Sequence, residues 1–121
     1  MRYMLFIYSN EAAAASTTPA QQEAVMNEYW AFNEMVNQRG VNLGGEALHE
    51  TSKATTVRVQ AGKTMVTDGP FAETKEQLDG YYLLNCKDLN EAIEIAALCP
   101  GAKYGSIELR PIFEFGEPAQ A

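Results

Sequence analysis

The chain has 121 residues and a formal net charge of −7, with 9 Lys and Arg residues against 16 Asp and Glu residues. At this length we expect one domain with one core, at residues 1–116, followed by a frayed tail at residues 117–121. The scattered basic residues argue against a nucleic-acid surface and against an anionic membrane, because both need clustered cations. No apolar run reaches the roughly 20 residues of a membrane span and no secretion signal is evident, so we expect a cytoplasmic protein.

The residues that usually hold metals or cofactors are sparse. His49 is the single histidine, and neither Cys86 nor Cys99 belongs to a C-x-x-C pair. The sequence also has no Gly-rich phosphate loop and no nucleophile elbow. We therefore expect no cofactor and no metal, and reduced thiols.

The first half of the chain predicts a strand followed by a helix. Residues 3–8 are apolar on both alternating faces, which is typical of a strand that is covered on both sides. Thr18 and Pro19 predict a helix start, with Gln21 or Gln22 near the capping-box position. The apolar stripe of this helix is Val25, Tyr29, Phe32 and Val36, and Arg39-Gly40 ends the helix.

The second half predicts a hairpin, a strand, a helix and a last strand. Residues 41–50 carry Gly44-Gly45, which we expect to prevent a regular strand there. Residues 55–60 and 63–67 flank Ala61-Gly62 as a hairpin, and residues 80–86 form a strand that is apolar on both faces. Asp88 caps a second helix, which Cys99-Pro100-Gly101 ends and whose predicted stripe is Leu89, Ile93, Ala96 and Ala97. Apolar and charged side chains alternate over residues 106–115, which predicts a final strand.

This order, β-α-β(ββ)-β-α-β, predicts an α+β fold: a ferredoxin-like antiparallel sheet with two helices on one face and an inserted β-hairpin. The two strands that are apolar on both faces should lie in the centre of the sheet. Two helices cover one face only, so the other apolar face needs a partner. A second copy of the chain is the simplest one, and we expect a homodimer.

One segment resembles a known family signature. Residues 68–78, followed by Gly80-Tyr81-Tyr82, are similar to the signature of the DGPF subgroup of the YCII-related family; the signature segment reads Asp68-Gly69-Pro70-Phe71-Ala72-Glu73-Thr74-Lys75-Glu76-Gln77-Leu78. The similarity extends over nearly the whole chain. It implies a dimeric α+β barrel in which two sheets pack face to face.

The resemblance also bears on function. The wider family is associated with a His–Asp pair proposed as a catalytic site, whose histidine lies on the first helix. The only histidine here, His49, follows that helix, so the pair is not carried over. The DGPF subgroup is often encoded beside extracytoplasmic-function sigma factors, which suggests a sigma-factor-related protein partner.

The turn at Asp68 and the charged loop after it hold the first candidate site residues. Asp68 either closes an Asx-turn or faces the barrel cleft as an acid or base, which would need a pKa moved toward neutrality by burial. Glu73 and Lys75 either form a solvated loop or contact a ligand, with Lys75 holding an anion. Phe71 and Leu78 should pin this loop against the core.

The remaining candidates lie on strands. Glu108 and Arg110 project from one face of the last strand and either pair with each other or across the dimer, or bind an anionic ligand. Tyr81 and Arg58 could reach the same space, and His49 is a weaker catalytic candidate. Two hypotheses follow: a small-molecule site in a dimer-barrel cleft, with cofactor-free acid–base chemistry if the protein is an enzyme, or a regulatory protein that acts by protein–protein contact.

Overall fold

The structure, a computed structural model, describes residues 1–116. Its strands are β1 (Arg2–Ser9), β2 (Asn42–Ala47), β3 (Thr55–Gln60), β4 (Lys63–Asp68), β5 (Gln77–Asn85) and β6 (Ser106–Pro111). Its helices are α1 (Glu11–Ala14), α2 (Pro19–Gln38), α3 (Leu89–Leu98) and α4 (Gly101–Tyr104), and a single 3₁₀ turn spans Thr51–Lys53. The predicted tail at residues 117–121 lies outside the described residues.

The main sheet has four antiparallel strands in the order β2-β5-β1-β6. The prediction that β1 and β5 lie in its centre is confirmed. Their pairing runs from Arg2 opposite Asn85 to Ser9 opposite Gln77, with a register shift between Ile7 and Tyr8. This shift places Asp79 in a bulge, where the local twist of a strand increases.

The core lies between one face of this sheet and the helices. Alternate residues of β1, Tyr3, Leu5 and Ile7, are buried against α2 and α3. On the opposite face Met4, Phe6 and Tyr8 are only half-buried. Within residues 1–116, one face of the central strands is therefore covered, and the other, which we call the open face, is not.

Helix α2 begins as predicted. The Thr18 side chain accepts a hydrogen bond from the Gln21 N–H, and the Gln21 side chain accepts one from the Thr18 N–H, which completes the capping box. Only the second half of the helix is buried, through Phe32 and Val36. Trp30, two residues before Phe32 but on another face of the helix, is 65% exposed, and a groove opens between α2 and the sheet on that side.

The expectation that residues 41–50 form no regular strand was wrong. Gly45 lies opposite Tyr82, and a Cβ atom there would come within 2.5 Å of the Tyr81 carbonyl oxygen and 3.0 Å of the Tyr82 ring. A glycine is therefore needed for β2 to pair with β5 at this point. Gly44, with φ of 146°, takes up the register shift beside it.

Three packing expectations were also wrong. The buried face of α3 is Ala92, Ile95 and Ala96, whereas Leu89 and Ile93 are exposed. Both sets have helical spacing and share Ala96, but the buried face presents Ala92 and Ile95 to the core in place of Leu89 and Ile93.

Phe71 is 79% exposed and does not pin the loop, because within residues 1–116 its side chain is not packed against the core. The final strand ends at Pro111, and Phe113 and Phe115 beyond it are exposed and pack edge-to-face on each other.

The predicted hairpin of β3 and β4 is confirmed. Its turn places Ala61 at φ 50° and Gly62 at φ 75°, the left-handed pair that a two-residue hairpin turn needs. Within residues 1–116 the hairpin forms a sheet of its own, apart from the four-stranded sheet. Val57, Val59 and Val66 are exposed on one of its faces.

Both cysteines are buried and unpaired, Cys86 after β5 and Cys99 between α3 and α4, as the sequence predicted for reduced thiols. Burial raises the thiol pKa of each. Among the described residues, no helix is long and apolar enough to cross a membrane.

Candidate functional site

A groove of about 1750 Å³ lies between α2 and the β2–β5 edge of the sheet, and we call it the α2 groove. Helix α1 and the start of α4 also contribute to its walls. Its surface is mainly apolar, and polar side chains interrupt it at a few points. Single-ligand pockets are about 300–1,000 Å³, so the groove has room for one small molecule and water.

A carboxyl group and a hydroxyl group meet at the end of this groove. Asp79 lies in the bulge of β5 and Ser9 at the end of β1, so the paired strands bring the two together. The Ser9 hydroxyl donates a hydrogen bond to Asp79 Oδ2. Among residues 1–116, no other side chain donates to this carboxyl group, and its second oxygen is free to contact a ligand.

The pKa of the Asp79 carboxyl group is raised above its ordinary value. Burial raises the pKa of the Asp79 carboxyl group, and the nearby carboxylates of Glu11 and Glu76 raise it further, against the Ser9 hydrogen bond, which lowers it. The group is half-buried, so solvent still reaches it. A carboxyl group in such surroundings is suited to exchanging a proton with a bound molecule.

Two tyrosines, Tyr29 and Tyr82, line the wall of the groove. The Tyr82 hydroxyl donates to Asn33 Oδ1 on α2, and its ring packs edge-on against Phe32 with centroids 5.2 Å apart. Burial raises the pKa of Tyr82 to about 12, and burial also raises the pKa of Tyr29. Both phenols are therefore neutral near pH 7 and can orient a ligand without acting as bases.

A second, smaller depression of about 430 Å³ lies on the other side of α1. Lys75 lines it, together with Thr74, Gln77 and Glu11. The Glu11 carboxylate accepts hydrogen bonds from the Thr51 N–H at 2.9 Å and from the Thr51 hydroxyl at 2.6 Å, which ties α1 to the 3₁₀ turn. The predicted ligand contact Lys75 thus lies beside the α2 groove and does not line it.

Three of the predicted site residues meet on the open face. Phe6 of β1 lies between Tyr81 of β5 and Glu108 of β6. Met4, on the same face of β1, lies opposite Arg110 of β6. The Tyr8 hydroxyl donates to Glu108 Oε1 at 3.1 Å. Within the described part of the chain, Glu108 and Arg110 form no ion pair with each other.

The other predicted site residues are exposed and lie apart from one another. Arg58 is on the hairpin opposite Met65, and Asp68 ends the same hairpin opposite Thr55. The Gly69 N–H donates to the Ala54 carbonyl, so the backbone itself closes this turn. Glu73 and His49 lie in exposed loops.

Of the residues that line the groove, Tyr81 was among the predicted site residues, whereas Ser9, Asp79 and Tyr82 were missed. Asp79 directly precedes the predicted apolar strand at residues 80–86, and a charged residue beside such a strand was the available signal. Ser9 carried no such signal, because its contact depends on the pairing register. In residues 1–116 no group of three or more His, Cys, Asp or Glu side chains could hold a metal ion.

Comparison with known proteins places this geometry in a family. The YCII-related domain matches residues 1–116. A protein of Rhizobium meliloti (strain 1021) that is itself described as uncharacterized is 40% identical over 115 residues, which is 93% of this chain and 92% of that protein. The chain belongs to the YCII-related domain family.

Proposed function

We propose that this protein binds a small organic molecule in the α2 groove and that the carboxyl group of Asp79 exchanges a proton with it. The observation that carries the proposal is a half-buried carboxyl group, bonded to one hydroxyl, at the end of a mainly apolar groove. Buried apolar surface supplies affinity in such sites, and a few fixed polar groups supply orientation.

The groove has fixed polar groups of this kind. Ser9 holds Asp79 from one strand, and Asn33 holds Tyr82 from the facing helix. One hydrogen bond links β5 to β1 and the other links β5 to α2. Asp79 and Tyr82 therefore keep their positions without a ligand. The candidates Glu73, Lys75 and Arg58 lack such neighbours, so we place the site in the groove.

The test is a screen of small organic molecules that is read by the fluorescence of Trp30, the single tryptophan, which lines the groove. Ala14→Phe fills the groove from α1 and should abolish binding of any hit. Ala12→Phe, on the same helix but facing the smaller depression, is the matched control and should leave binding unchanged. Hits that bind both variants equally would place the ligand elsewhere and contradict the proposal.

We further propose that the chain belongs to the DGPF subgroup of its family and forms a dimeric α+β barrel. Support for the subgroup is the signature of residues 68–78. Support for the dimer is the open face, where Met4, Phe6 and Leu83 are half-buried and have no covering element within residues 1–116. Apolar sheet faces of this kind usually pack against a partner.

Sedimentation tests the dimer. The chain should sediment at twice its mass of 13.3 kDa, and Leu83→Arg, on the open face, should halve that mass. Leu98→Arg, at an exposed position of α3, is the control and should leave the dimer intact. A 13.3 kDa species at micromolar concentration would contradict the dimer.

A second function, regulation through protein contact in an extracytoplasmic-function sigma-factor context, is favoured by the hairpin. Its exposed face of Val57, Val59 and Val66 has no packing partner within the described residues. Isolated two-stranded hairpins are marginally stable, so this face should pack in the working assembly. A photo-crosslinker at Val59 should then capture a distinct protein; capture of the chain alone would count against this function.

A further inference from the structure

We infer that the α2 groove selects an organic cation, a protonated amine or quaternary ammonium compound with an apolar body, over neutral and anionic molecules of the same shape. This inference rests on the proposed function and specifies the chemical class of its ligand. It differs from the anionic ligand that Lys75 and Arg110 suggest from the sequence.

Among residues 1–116, the charged side chains that line the groove are all acidic. Among the described residues that line it, Glu34, Glu46 and Asp79 are acidic and none is Lys, Arg or His. Glu11 and Glu76 lie near Asp79 and add to the negative potential, which raises the pKa of that group. A bound cation would relieve this repulsion, whereas a bound anion would increase it.

The basic residues near the groove are already engaged. Lys103 beside Tyr104 pairs with Glu28 at 2.6 Å, and Arg39 at the end of α2 pairs with Glu94 at 3.2 Å. Lys75 lines the smaller depression across α1. No cation of the described chain therefore lines the groove to neutralise the Asp79 carboxylate.

Three aromatic residues line the same groove. Trp30 is 65% exposed and borders it together with Tyr29 and Tyr82. The faces of such rings attract ammonium groups, and Trp does so most strongly. A neutral isostere gains the apolar contacts with these rings but neither the cation–π attraction nor the attraction to Asp79.

The test compares three molecules that share a tert-butyl-like body: choline, 3,3-dimethylbutan-1-ol as its neutral isostere, and 3,3-dimethylbutanoate as the anion. Binding is measured with the full chain at pH 7.5 by NMR, from the amide signals of Ser9 and Asp79 and from the single indole signal of Trp30. We expect choline to bind at least about tenfold more tightly than the alcohol, a difference of about 1.4 kcal/mol, and the anion to bind least.

Variants then separate charge from shape. Asp79→Asn should weaken choline binding several-fold and leave the alcohol unchanged, while Asp68→Asn, at the exposed end of the hairpin, should alter neither. Equal binding of choline and the alcohol would overturn the cation inference and leave the groove as the binding site. If none of the three shifts the groove signals, the inference fails, and the independent screen with Ala14→Phe still decides the proposed function.

Discussion

The two ends of the segment from Asp68 to Tyr82 differ in almost every physical respect. At the first end, Asp68, Phe71 and Glu73 are exposed, and the backbone closes the turn. At the second end, Asp79 and Tyr82 are half-buried and hydrogen-bonded to other elements. The residues that resemble the family signature, 68–78 and Gly80-Tyr81-Tyr82, run from the exposed end to the buried end and leave out Asp79. The raised pKa of Asp79 and the groove belong to the buried end.

This difference shows that a distinctive sequence and a reactive environment need not coincide. The signature supports the family assignment through residue identity alone. Chemistry needs desolvation and fixed partners, and at the buried end the paired strands and α2 supply both to Asp79 and Tyr82. Variants at the two ends should therefore behave differently.

The largest expected difference is in stability. Leu84, two residues beyond Tyr82, is fully buried, so Leu84→Ala should lower the free energy of unfolding by about 2–5 kcal/mol through lost burial and a cavity. Phe71→Ala, at the exposed end, should change it by less than about 0.5 kcal/mol. Urea denaturation followed by circular dichroism measures both, and comparable losses would mean that Phe71 is buried in the assembly.

A smaller effect separates two neighbouring tyrosines. Tyr82→Phe removes the hydroxyl that donates to Asn33 and should cost about 0.5–1.5 kcal/mol. Tyr81→Phe is the matched control, since within residues 1–116 the Tyr81 hydroxyl donates no hydrogen bond, and it should be close to neutral. The same denaturation experiment compares them. A larger loss at Tyr81 would indicate that the open face, and not the groove, holds the ordered polar contacts.

The smallest effect is a pH dependence at Asp79. Its pKa is raised in the folded state, so the folded chain holds this proton more tightly than the unfolded chain does. The associated stability is present below the ordinary carboxyl pKa of about 4 and is lost as pH rises through the folded-state pKa. Asp79→Asn should therefore gain stability relative to the wild type between pH 4 and pH 7.

Thermal unfolding at several pH values measures this gain. Asp68→Asn removes the same charge from the exposed end and serves as the control, for which we expect a smaller change. If both variants show the same pH profile, net charge explains the effect and the surroundings of Asp79 do not.

Much of the fold was predictable from local sequence. The Thr18 cap, the Gly62 turn and the apolar faces of β1 and β5 each depend on a few neighbouring residues, and the central position of β1 and β5 follows from their apolar faces. The edge strand β2 did not follow, because Gly44-Gly45 suggested that no strand forms there. The exposed Leu89 and Ile93 show the limit of this approach. Two helical stripes compete on α3, and the structure buries the one formed by Ala92, Ile95 and Ala96.

The candidate site was less predictable for a related reason. Ser9 and Asp79 are seventy positions apart, and they meet only because a bulge sets the register of β1 and β5. Of the predicted stripe on α2, Phe32 and Val36 are buried but Val25 is only half-buried, and Trp30 beside the stripe is exposed to the groove. The apolar spacing of the helix does not predict this difference. Sequence spacing therefore identified Tyr81, Glu108 and Arg110 on one face but not the groove on the other.

The alkylation rates of the two buried thiols report how often the surrounding structure opens. Cys86 follows β5 at one end of the sheet, and Cys99 lies beside Tyr29 at the wall of the groove. A thiol that is buried in the folded state can be alkylated only while its surroundings are transiently open, so its alkylation rate reports the free energy of that opening. If Cys99 is alkylated faster than Cys86 under native conditions, the groove wall opens as a separate unit while the sheet stays closed.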